Sequence, residues 1–139
     1  MRLNSSFRYA IYAVFTVLVL TGAGWLVADW QKDVSGDEIW QQSIAYLLMV
    51  HGGVAMITLL LLGALVPLHL LRAWRSGKNR ISGSLMATFN AVLIATAFGL
   101  YYLGSESLRP WMSWTHIVAG FSLAVWFPFH IYWGRRKLR

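Results

Sequence analysis

The chain has 139 residues, 58% of them hydrophobic and only 12% charged, with a formal net charge of +7 and no cysteine. An ordinary soluble domain carries about 25% charged residues, so the composition argues against a water-soluble globule. The lack of thiols excludes covalent c-type haem, cysteine-ligated iron–sulfur clusters, thiolate zinc and disulfides.

Asp, Glu, Lys and Arg are missing from 9 to 28, 39 to 71, 81 to 105 and 110 to 134. Each gap is long enough for a helix of roughly 18–20 residues to cross a bilayer. The sequence therefore predicts an all-α, integral-membrane four-helix bundle, with helices near 9–28, 43–72, 82–103 and 111–133 forming a single transmembrane domain over 1–139.

The first segment follows Arg2 and Arg8 and ends in Thr21-Gly22-Ala23-Gly24, a layout shared with signal peptides. Its apolar run exceeds the usual h-region of about 7–15 residues. Trp25 and Trp30 read as interfacial anchors, so the expectation is an uncleaved first helix. The stretch from Asp29 to Gln42 is acidic and is expected to be a loop or a short interfacial helix.

The second segment carries His51 followed by Gly52 and Gly53, then Gly63 and Ala64 midway, and Pro67 two residues before His69. A basic turn with Arg72, Arg75, Lys78 and Arg80 leads to the third segment. There Ala87, Ala91, Ala95 and Gly99 form a small-residue stripe suited to helix packing. Asn90 and Thr88 are its expected interhelical polar contacts. The fourth segment carries His116, with Gly120 one turn later, and Pro128 two residues before His130. Trp40, Trp111, Trp114, Tyr132 and Trp133 fit interfacial belts.

Ten of the twelve basic residues fall before the first segment, between the second and third, or after the fourth. The other side holds Lys32, Arg109 and all five acids: Asp29, Asp33, Asp37, Glu38 and Glu106. The positive-inside rule then puts both termini in the cytoplasm. Anchoring to anionic lipid accounts for the basic ends without a nucleic-acid partner.

These four histidines are the only ones in the chain. With both termini inside, His51 and His116 lie near the outer face, and His69 and His130 near the inner face. At about 1.5 Å per residue the His51–His69 gap spans roughly 27 Å and the His116–His130 gap roughly 21 Å. Eighteen residues make five α-helical turns and fourteen nearly four, so each helix offers two imidazoles to one side. Pro67 and Pro128 are expected kinks. Paired imidazoles at two depths suit two haems, each with both axial positions filled. Gly52, Gly53 and Gly120, with Gly63 and Ala64, offer room for a porphyrin face. Arg72 and Arg75 inside, with Arg109 and Lys32 outside, are candidate propionate partners.

These residues resemble the small bacterial four-helix dihaem cytochromes b, of the cytochrome b561-like and respiratory cytochrome b membrane-subunit kind. The resemblance rests on His51-Gly52-Gly53, Pro67-Leu68-His69, the turn from Arg72 to Arg80, Trp114-Thr115-His116 and His130. It departs in the eighteen-residue ligand spacing of the second helix, where thirteen or fourteen is common. The resemblance implies two haem b groups, with His51 paired to His116 and His69 to His130. It implies electron transport across the bacterial inner membrane, often to or from quinone, and a redox partner such as a periplasmic cytochrome c. The four acids Asp29, Asp33, Asp37 and Glu38 would offer a basic donor a docking surface. Three other readings stay open: a quinone-reactive anchor subunit of a larger oxidoreductase, a histidine-based divalent-metal transporter, and a plain structural anchor. A small-residue stripe also leaves room for an oligomer.

Overall fold

The computed structural model describes residues 4–77 and 80–136. Arg2, Lys78, Lys137 and Arg139, all counted in the charge asymmetry, lie outside the described residues, as does the side chain of Arg135. The described chain is helical almost throughout: α1 (Ser5–Ser35), α2 (Glu38–Leu65), a π-helical turn (Val66–Leu70), α3 (Leu71–Arg75), α4 (Arg80–Tyr102) and α5 (Leu108–Arg136). It divides into two compact units, residues 1–69 and 70–139. The first is a hairpin of α1 on α2. The second is a hairpin of α4 on α5, with α3 against α4.

Four helical stretches are long and apolar enough to cross a membrane: Ser5–Ser35, Glu38–Arg75, Arg80–Tyr102 and Leu108–Gly134. Their burial is inverted relative to a water-soluble protein. Buried hydrophobic side chains are few and mostly small or medium: Ile11, Phe15, Ala28, Ala119 and Leu123. Meanwhile Leu60 is 77% and Ile81 82% exposed. An apolar surface this extensive is costly in water and favourable in lipid. The chain is a multi-pass membrane protein.

Small residues bring the helices of each hairpin together. A Cβ on Gly24 would lie 3.3 Å from Leu47 of α2, and one on Gly99 would lie 3.2 Å from the Met112 sulfur of α5. Without strong hydrophobic drive inside lipid, such close approach is how helices gain packing energy. The rest of the expected stripe differs: Ala87, Ala91 and Ala95 are exposed within their hairpin. Steps of four residues advance 400° around a helix, so a stripe of that period winds off the contact face.

The acidic connection also differs from expectation. No separate interfacial helix forms; α1 runs to Ser35 and α2 begins at Glu38. The charges do not stop α1, because Lys32 bonds Asp29 at 2.9 Å and lies 3.5 Å from Asp33. Gly36 stops it. At φ 72° it takes the left-handed conformation, and its N–H donates to the Lys32 carbonyl at 3.0 Å. Asp37, in extended conformation, then starts α2.

The prolines act unequally. Pro128 lies inside the continuous α5. Pro67 lies in the π turn that also contains His69. A π turn winds an extra residue into the helix, so the five-turn count from His51 to His69 does not hold there. The extra residue also takes up part of the added length between His51 of α2 and His69 of the π turn.

Replacing Gly36 by Ala forces an L-residue into the left-handed region, at about 1–2 kcal/mol. The thermal midpoint in detergent should fall for Gly36→Ala and fall less for Gly36→Asn. Equal midpoints for Ala and Gly would contradict a left-handed Gly36.

Candidate functional site

Polar side chains are scarce on the spans, and three of the contacts they make join helices through a histidine. On the first hairpin, His51 of α2 meets Thr21 of α1, with Nδ1 2.8 Å from the hydroxyl oxygen. Thr21 is buried, and its hydroxyl donates to the Val17 carbonyl at 2.7 Å, with the Leu18 carbonyl at 3.2 Å. Next to it, a Cβ on Gly22 would sit 3.6 Å from His51 Cε1, so the ring packs against α1 backbone.

The second hairpin repeats the device. His116 of α5 meets Thr96 of α4 at 2.8 Å through Nδ1. Thr96 is also buried, and its hydroxyl donates to the Val92 carbonyl at 2.7 Å, with Leu93 at 3.2 Å. Further along, His130 Nδ1 lies 3.2 Å from the Ser82 hydroxyl. Thr96 and Ser82 are separated on α4 by the same fourteen residues as His116 and His130 on α5, so the antiparallel helices face each other in one register.

His51, His116 and His130 are partly buried, while His69 is exposed within its own unit. The structure thus brings each of three histidines to a hydroxyl on the neighbouring helix. Among the described residues, no three His, Asp or Glu side chains group as a divalent-ion site requires. Imidazole nitrogens are donors that both zinc and haem iron accept.

The glycines divide. Gly53 and Gly63 have open space where a side chain would begin, whereas Gly120 faces Leu93 of α4 at 3.8 Å. Gly52 is partly buried. Arg72, Arg75 and Arg109 are exposed at helix ends. Lys32 is engaged by Asp29 and Asp33.

One open apolar groove, about 490 Å³, is lined by Leu85, Phe89, Phe121, Ser122, Val125 and Trp126. Trp126 Nε1 is buried without a hydrogen-bond partner. Trp126 precedes His130 by one turn on α5.

Sequence reasoning singled out all four histidines but missed Thr21 and Thr96. Asn90, the expected interhelical contact, instead donates to the Met86 carbonyl of its own helix at 2.8 Å. The usable signal was the hairpin itself. Once α4 and α5 are paired across a short connection, a hydroxyl opposite His116 has to be Thr96.

Comparison of the chain with protein-family models, curated proteins and solved structures found no match.

Proposed function

We propose that this chain carries electrons across a membrane through two b-type haems, with His51 and His116 as axial ligands of one and His69 and His130 of the other. The supporting observation is the placement of the imidazoles. All four lie on two uncharged apolar stretches, two on each, and Thr21, Thr96 and Ser82 stand behind His51, His116 and His130. Ionisable side chains within membrane spans are costly and ordinarily functional.

A bound haem supplies one-electron exchange at its iron. The residues of this chain supply the rest. Two imidazoles would close both axial positions. The apolar helices would exclude water. Open backbone at Gly53 and Gly63 would admit a flat ring. Arg72 and Arg75 would meet propionates on one side and Arg109 on the other. On this reading the termini, with most of the basic residues, would face the cytoplasm, and the membrane would be the inner membrane of a bacterium. His51 and His116 would then serve the periplasmic face, where exposed Asp37 and Glu38 would receive a basic redox protein such as a cytochrome c.

A second reading, a quinone-reactive anchor subunit of a larger oxidoreductase, is favoured by one observation. The groove near His130 is apolar, and the buried Trp126 N–H is a donor in want of an acceptor, such as a quinone carbonyl. On this reading Trp126→Phe should slow haem reduction by added quinol at least several-fold while leaving the dithionite-reduced spectrum unchanged. An unchanged quinol rate would remove Trp126 from the quinone reading.

The pairing is tested by haem content in single variants. His51→Ala and His116→Ala should each lose the same haem, identified by its reduction potential, and the double variant should lose no more. His69→Ala and His130→Ala should lose the other. Four variants that all keep two haems would refute the assignment.

A further inference from the structure

A hydroxyl has one proton, and its position decides what the neighbouring imidazole can do. The Thr21 oxygen lies 2.7 Å from the Val17 carbonyl oxygen, and the Thr96 oxygen 2.7 Å from that of Val92. Two oxygens this close repel unless a proton lies between them, and a carbonyl can only accept. Each threonine therefore spends its proton on its own helix, four residues back, as threonines within membrane helices commonly do. The oxygen that faces the neighbouring helix is left with lone pairs alone. His51 and His116 each place Nδ1 2.8 Å from such an oxygen. The contact is attractive only if Nδ1 carries the hydrogen.

We propose that Thr21 and Thr96 are positioning residues that hold His51 and His116 in the Nδ1-protonated tautomer, so that Nε2 is the atom each turns to haem iron. The proposal rests on the haem reading above. The ligating atom is then the same on both rings, and each hairpin has its own means of fixing it. The two threonines are equivalent: buried, bonded to the carbonyls three and four residues back at matching distances, and on the helix that packs beside the histidine. A hydrogen-bond acceptor behind a ligating imidazole orients the ring and raises its basicity. A more basic ligand favours the oxidised iron, so removing the acceptor raises the reduction potential.

The test uses the full-length protein with ¹⁵N-labelled histidine, reduced with dithionite so that any low-spin haem is diamagnetic. The proposal expects protonated Nδ1 at His51 and His116. Thr21→Val and Thr96→Val preserve side-chain shape without the hydroxyl. Each should weaken retention of the haem shared by His51 and His116 by about 10–100-fold. Each should also raise its potential by up to about 59 mV, a tenfold change in the reduced-to-oxidised ratio for one electron. The other haem should be unmoved, which separates positioning from general loss of fold. Thr21→Ser and Thr96→Ser should restore both properties. Protonated Nε2 at the two histidines would overturn the proposal, as would valine variants with unaltered potential and retention. Nδ1 protonation that depends on the threonines in a protein holding no haem would instead overturn the haem reading and leave the tautomer assignment standing.

Discussion

Lipid offers polar groups inside the four spans no partner, so the backbone and the hydroxyls there have to find theirs on the chain. That constraint orders the rest of the structure. It accounts for helices that satisfy their own backbone over 23 to 31 residues. It accounts for hydroxyls that donate back into their own helices at Thr16, Thr21, Thr58, Thr96 and Thr115. It also explains why an imidazole can sit in an apolar span at all. Thr21 and Thr96 meet His51 and His116 with lone pairs, and each such contact joins two helices of one hairpin.

Much of this was legible in the sequence, because lipid imposes a simple rule. The charge-free runs give the four spans, since a single Asp or Lys at mid-membrane is expensive. The ends were less legible. Residues 29–35 look like loop by charge, yet Lys32 pairs with Asp29 and Asp33 and the helix continues until Gly36 turns it. Periodicity also placed His51 and His69 on one face, but that count assumes an unbroken α-helix and the π turn at Val66–Leu70 interrupts it. The threonines were missed for a different reason. Threonine is unremarkable in membrane helices, and its role appears only when the pairing of helices is known. The Ala87, Ala91, Ala95 and Gly99 stripe shows the reverse error, since only Gly99 of the four is buried within the hairpin.

The two hairpins use one design. In each, a buried threonine one helix away stands behind the histidine, and a glycine near that threonine lies close to the neighbouring helix, Gly22 beside His51 and Gly99 beside Met112.

The central claim is two bis-histidine haems in one chain of 139 residues. Its most direct test is the haem-to-chain ratio of the purified wild-type protein, read with oxidised and dithionite-reduced visible spectra. The account predicts two non-covalent haems per chain with sharp reduced bands of the six-coordinate low-spin b type. A well-folded preparation without haem, or one whose haem is five-coordinate and high-spin, would contradict it.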